Sequence, residues 1–275
     1  MLDMLLPLCR WLALLCCLAS WPVAADEQPG LVLQVSGAQS GRFDLAQLRD
    51  RLQVHTISFD NPLMGKTKRY RAFALSDLLT LSYGERWQSD SFSDIAFIAV
   101  DGYEAVAPLR LLGNAGGYLA FEDLDVGDGW EPITKGSVDP GPLFLVWTGP
   151  DQTPRHGYPW PWQIAALNLL RFADQYPALA PDGAAGPEVM RGFDLFRQRC
   201  LRCHAINGQG GRVGPDLNAP QSITSYRSET MIKAFIQRPS QFRHSQMPDH
   251  TDLSAAQLDE LYRYLWAKGH APPPR

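Results

Sequence analysis

The sequence predicts a multidomain chain: a β-rich α+β domain over residues 26–172, then a small all-α domain over 187–275. A linker at 173–186 joins them, and residues 1–25 read as a signal peptide. Three observations carry this reading. Apolar periodicity is strand-like before residue 172 and helical after 187. Between Phe172 and Val189 runs ADQYPALAPDGAAGPE, rich in Pro, Ala and Gly and poor in periodicity. The charge also divides there: residues 26–186 carry 12 Lys and Arg against 20 Asp and Glu, and residues 187–275 carry 12 against 8.

In order along the 275 residues, the first element is an apolar run, Leu12 to Leu18, behind Arg10, with small residues Val23-Ala24-Ala25 before Asp26. This is an export signal with an imperfect start, since Asp3 precedes the single Arg10. It implies a periplasmic protein; retained, it would be a membrane anchor. Its run is short, and no later segment approaches the roughly 18–20 apolar residues a span needs. Neither Cys16 nor Cys17 follows a small residue, which weakens a lipoprotein reading.

Strands follow. LVLQV (31–35) alternates, VHTISF (54–59) is β-branched and aromatic, and IAFIAVDGYEAVAP (95–108) reads as a hairpin on Asp101-Gly102. Ser76 is placed to cap a short helix carrying Leu78, Leu79 and Leu81. LFLVW (143–147) and part of 164–172 complete an antiparallel domain. Within it, KTKRYR (66–71) is a basic island, suited to an anionic contact or to a solvated hairpin tip. RHGYPWPWQ (155–163) sets His156, Tyr158, Trp160 and Trp162 among prolines, as an aromatic ligand wall, as an interface hot spot, or packed onto the sheet. His55 lies among apolar strand residues and reads as structural.

After the linker, Val189, Phe193, Phe196 and Cys200 share one helix face. Ser228 opens a second helix with Met231 as a core residue beside Phe235 and Ile236, stopped before Pro239. Ser254 and Gln257 form a capping box for a third helix with Leu258, Leu261 and Leu265. Three short helices bury little apolar surface alone, the size range in which a cofactor often completes a core.

Cys9, Cys16 and Cys17 lie in the signal, so the exported chain keeps only Cys200 and Cys203. One close pair is no disulfide scaffold. In RQRCLRCHAIN (197–207), C-x-x-C-H is the attachment signature of c-type haem: two thiols three residues apart meet two vinyl groups, and the adjoining His204 addresses iron. A thioredoxin-like pair would need a βαβ context, which is missing. A zinc site would need two more ligands, with His244, His250 and carboxylates as the nearby candidates. No strong basic run marks a nucleic-acid partner.

In GFDLFRQRCLRCHAINGQGGRVGPDL the chain resembles a class I cytochrome c, over residues 187–270. The resemblance implies one covalent haem c held by Cys200 and Cys203, with His204 as proximal ligand. It implies that Gly192 and Phe196 cross the last helix near Leu261 and Tyr264. The Pro215 carbonyl, in Gly214-Pro215-Asp216-Leu217, would accept a bond from the proximal imidazole. QMPDH implies Met247 as the second axial ligand, ahead of Met231, Met190, His244 and His250, with a histidine or an open site as the alternative; a labile sixth position would favour a haem-based sensor or assembly factor.

Residues 31–172 resemble the sulfite-oxidase-type domain that holds molybdopterin in its enzyme members. The resemblance rests on LVLQVSG, TISFDNPLMGKTKRYRAFALSDLLTL, FIAVDGYEAVAPLRLL, GPLFLVW and YPWPWQIAALNLLRF. Those enzymes bind molybdenum through a cysteine; the corresponding stretch, around Ser58 to Asp60, has none, so molybdopterin is not expected. The expectation is a periplasmic monohaem cytochrome passing electrons between redox protein partners, with the front domain docking or binding a ligand. The alternative is an oxidoreductase whose front domain passes electrons to the haem.

Overall fold

The computed structural model describes residues 30–133, 139–244 and 247–270. The expected signal peptide at residues 1–25, with Cys9, Cys16 and Cys17, lies outside them. Among the described residues no helix is long and apolar enough to cross a membrane.

The front region contains β1 (Gly30–Val35), β2 (Ala38–Asp44), α1 (Leu45–Arg51), β3 (Val54–Asn61), β4 (Lys66–Ala74), α2 (Leu75–Tyr83) and β5 (Asp94–Ala99). It continues with β6 (Glu104–Pro108), α3 (Leu109–Leu112), β7 (Gly117–Asp123), β8 (Phe144–Trp147), β9 (Ile164–Leu170) and α4 (Phe172–Gln175). One sheet has the order β2-β1-β9-β5-β6 and the other β3-β4-β7-β8. They share a core built on Tyr70, Phe73, Phe97, Leu119, Phe144, Trp147 and Leu167.

The expected hairpin around Asp101-Gly102 is present as β5 and β6. The sheet is not wholly antiparallel, because β9 runs parallel to β1. Placed centrally and covered on both faces, β9 shows the near-continuous apolar run IAALNLL and not an alternating pattern. Ser76 is no cap: α2 starts at Leu75 after Ala74 without a side-chain cap bond, and Ser76 bonds Asp77 inside the first turn.

The basic island is neither a solvated tip nor a free anion contact. It lies in β4, whose alternation turns Lys68 inward while Arg69 and Arg71 face out. Lys68 Nζ donates to both Asp123 carboxylate oxygens at 2.8 Å and to Glu131 Oε2 at 3.0 Å. Burial pushes its ammonium down, but these carboxylates outweigh it and hold the group above its usual range. The 155–163 segment packs onto the sheet. Trp160 is buried and donates to Gln152 O at 3.0 Å, Trp147 donates to Pro159 O at 2.7 Å, and Tyr158 meets Trp147 edge-on at 4.7 Å. Trp162 stays exposed, and His156 lies 3.0 Å from Thr153 Oγ1. His55 sits edge-on to Tyr118 at 5.7 Å.

The C-terminal region contains α5 (Pro187–Arg199), β10 (Ala205–Ile206), β11 (Gln209–Gly210), α6 (Ile223–Tyr226), α7 (Glu229–Gln237) and α8 (Ala255–His270). The β10–β11 ribbon and short α6 are additions to the three expected helices. Ser228 caps α7 by accepting from Met231 N–H at 3.3 Å, and Ser254 and Gln257 exchange both capping-box bonds. Met231 itself is exposed; the α7 stripe that reaches the core is Ile232 and Ile236. One residue of helical rotation separates the two assignments.

Helices α5 and α8 cross where Gly192 meets the backbone of Glu260, with Tyr264 5.2 Å from Phe196 and 5.6 Å from Phe193. A Cβ at Gly192 would overlap the Glu260 carbonyl, which cannot rotate aside. Gly192→Ala gains about 1 kcal/mol of helix propensity but forces the helices apart. A net loss of about 1–3 kcal/mol is expected from overpacking, measured as a shift in the denaturant midpoint.

The two regions share a second core. In β5, Ile95 and Phe97 face the front core, while Ala96 and Ile98 face Phe193, Phe196 and Tyr264. The segment 173–186 is fastened into this interface: Tyr176 and Leu179 are buried, Tyr176 OH donates to Glu104 at 2.8 Å, and Tyr264 OH donates to Leu179 O at 2.9 Å. Lys268 adds a bond to Ala180 O at 2.9 Å. Arg197 of α5 pairs with buried Asp94 of β5 and lies 3.9 Å over the Phe172 ring.

Candidate haem-binding site

Helix α5 delivers the Cys-Cys-His stretch. Its last turn closes with Cys200 N–H donating to Phe196 O at 2.8 Å, and the chain then makes one more tight turn: the N–H groups of Cys203 and His204 reach Cys200 O at 3.0 and 2.9 Å. Both thiols and the imidazole therefore leave a single turn. The cysteines are half-buried and unbridged. Burial pushes the Cys200 thiol up to about 12 and raises Cys203.

His204 is buried, with Nδ1 2.8 Å from Pro215 O. A carbonyl can only accept, so Nδ1 carries the proton and Nε2 keeps the lone pair that a metal requires. The loop that brings Pro215 into place passes directly over the ring. A Cβ on Gly214 would lie 2.6 Å from His204 Cε1 and 2.8 Å from Nδ1, so no other residue fits there without displacing the imidazole. Backbone bonds hold that loop to the turn: Gly214 N–H to Cys203 O at 2.7 Å, Gly211 N–H to Leu201 O at 2.9 Å and to His204 O at 3.2 Å, and Leu217 N–H to Ala205 O at 2.9 Å.

Of the second-ligand candidates, Met247 is half-buried and packs against the same core as Phe196 and Tyr264. Met190, Met231 and His244 are exposed. His250 is buried at the end of the Met247 loop, with its backbone N–H on Gln237 O at 3.1 Å. Burial, followed by nearby Arg199, holds its imidazole below the usual range and so neutral. An open cleft lined by Pro187, Glu188, Arg191, Tyr262, Arg263 and Trp266 includes no residue of the Cys200–His204 turn.

Two residues beside the site had no role in the sequence reading. Arg197 lacks a local signal, because its partner Asp94 is 103 positions away. Asp216 had one: an aspartate after proline in a glycine-rich loop commonly bonds its neighbours' backbone.

The donor set fits a covalently held haem: two thiols on one turn, an imidazole whose orientation and tautomer are set by a backbone carbonyl, and a thioether at the core. Residues 189–268 match the family model described as Cytochrome c, whereas no curated protein matches the chain. The C-terminal part of the chain carries a cytochrome c domain, the haem-binding fold of an electron-transfer protein.

Proposed function

We propose that the chain is a periplasmic monohaem c-type cytochrome that passes electrons between redox protein partners. The signal (1–25) is removed on export, the front domain spans 26–172, and the cytochrome domain spans 187–275. The observation that carries this reading is the His204 Nδ1–Pro215 O bond beside two unbridged thiols, within a segment that matches the cytochrome family. Cys200 and Cys203 would hold one haem c by thioether bonds, and His204 and Met247 would ligate its iron. A bound haem c would supply one-electron chemistry. The chain's own part is to hold His204 by Pro215, to exclude water with Phe196, Leu201 and Ile206, and to offer Met247 as a thioether, which favours ferrous iron over what a second imidazole would give.

The front domain resembles the sulfite-oxidase-type fold, and two twisted sheets around one aromatic core support that resemblance. Its residues do not fit molybdenum chemistry of that family, since residues 26–199 contain no cysteine. We read it as a docking domain. Acidic overall and joined to the cytochrome domain through a shared core, it places the haem domain on a fixed platform in front of a partner.

Met247→Ala is the direct test. The ferric protein is expected to lose its methionine–iron charge-transfer absorption completely, and the ferrous form to bind carbon monoxide. A variant with the wild-type spectrum would remove Met247 from the iron. Metal analysis of protein from its native cells should give iron near one per chain; stoichiometric molybdenum with a pterin would overturn the docking role.

A further inference from the structure

We propose that Asp216 is a positioning residue for the proximal ligand, acting through Pro215 to fix the orientation and basicity of His204. The inference rests on the haem reading above and extends it to a residue that touches neither ring nor iron.

Asp216 follows Pro215 directly, and its carboxylate gathers four backbone N–H groups. Oδ1 accepts from Asn207 at 3.2 Å, Asn218 at 2.8 Å and Ala219 at 2.9 Å, and Oδ2 accepts from Gly208 at 2.6 Å. These donors lie on both sides of the His204–Pro215 bond. Asn207 and Gly208 form the tip of the β10–β11 ribbon, which starts at Ala205, the residue after His204. Asn218 and Ala219 continue the strand of loop that carries Pro215. One carboxylate therefore clamps the chain leaving the imidazole to the chain presenting its acceptor. Burial alone would raise the carboxyl; the four donors override it and hold the group below the usual carboxylate range, so the clamp is charged at neutral pH.

An imidazole whose Nδ1–H bond is firmly held is a more basic ligand. Loosening Pro215 weakens that bond and makes His204 a poorer donor to ferric iron. The midpoint potential then rises and the Nδ1 proton exchanges faster. A staple that merely stabilised the loop would change neither.

Charge alone also raises a potential when an aspartate is removed, so two neutral variants are compared as holoproteins. Asp216→Asn keeps Oδ1 with its three donors and loses the Gly208 bond; Asp216→Ala loses all four. Both lose the same charge, and the difference between them isolates the bonds. The expected result is a higher potential in Asp216→Ala than in Asp216→Asn, with His204 Nδ1–H exchange faster than wild type in both and fastest in Asp216→Ala. Equal potentials and wild-type exchange in the two variants, with only thermal stability reduced, would overturn the proposal. If Asp216→Ala does not fold, Asp216→Asn decides: losing the Gly208 bond, the shortest tie to the ribbon, is expected to quicken exchange above wild type, and wild-type exchange there would make Asp216 a loop staple. A pyridine haemochrome spectrum of the wild type separates the two levels: without a c-type haem the functional reading fails, and with one present an unmoved exchange rate sinks Asp216 alone.

Discussion

Cys200→Ser together with Cys203→Ser is expected to leave no haem on the denatured chain, read as complete loss of haem staining on a denaturing gel. No other cysteine exists beyond residue 25, so nothing else after that position can form a thioether. The consequence extends past the cofactor. Cys200 is packed against the second core, together with Val189, Leu217 and Met247. A region of this size gains much of its ordered surface from whatever completes that core. Far-UV circular dichroism of the double variant should therefore show weakened helix signal, while a single Cys→Ser variant keeps one thioether and most of its helix. Covalent haem surviving in the double variant would remove this turn from the attachment chemistry.

The parts legible in the sequence are those whose causes are local. The C-x-x-C-H spacing, the Ser228 cap, the Ser254–Gln257 box and the Asp101-Gly102 hairpin each depend on residues within a few positions of one another, and each occupies its expected place. Helix α5 was legible for the same reason: apolar positions at three- and four-residue spacing specify a face whatever it packs against. Gly192 and Tyr264 were reached through family resemblance, and the crossing they make is present.

What stayed hidden depends on distant partners. The parallel β1–β9 pairing joins residues more than a hundred positions apart, and an apolar run such as IAALNLL carries no mark of its neighbour's direction. Lys68 sits in a basic run whose composition suggests solvent, but the alternation of β4 puts this one lysine against Asp123, 55 positions away. The Pro- and Ala-rich stretch after Phe172 has the composition of a flexible tether. Tyr176, Leu179 and the carbonyls of Leu179 and Ala180 nonetheless anchor it, because α8 presents Tyr264 and Lys268 to them. Composition reports what a segment can do unassisted, and tertiary contacts decide what it does. The charge split between the halves is the intermediate case: an acidic half and a basic half name no contact, and one that forms is Arg197 on Asp94.

Arg197→Ala tests that contact and should cost about 3–5 kcal/mol of stability at neutral pH, the range for removing one partner of a buried pair. Asp94 is fully buried, so the variant strands a carboxylate between the regions and also removes the guanidinium from the face of Phe172. Asp94→Asn should cost less, because it takes the buried charge away. Burial already pushes the Asp94 carboxyl above its usual range, against the pull of Arg197 and Ser93. Without Arg197 it rises further. A carboxyl raised in the folded state binds its proton more tightly there than in the unfolded chain, so stability falls as pH rises through its folded value. The Arg197→Ala deficit should thus be largest at neutral pH and shrink as the pH is lowered toward that value, whereas the Asp94→Asn deficit should not follow it. Urea unfolding of the three proteins at a series of pH values reads this directly. Equal, pH-independent losses in both variants would mean that the pair contributes only packing, and that the shared core of Phe172, Leu179, Phe193 and Tyr264 holds the cytochrome domain to its platform without electrostatic help.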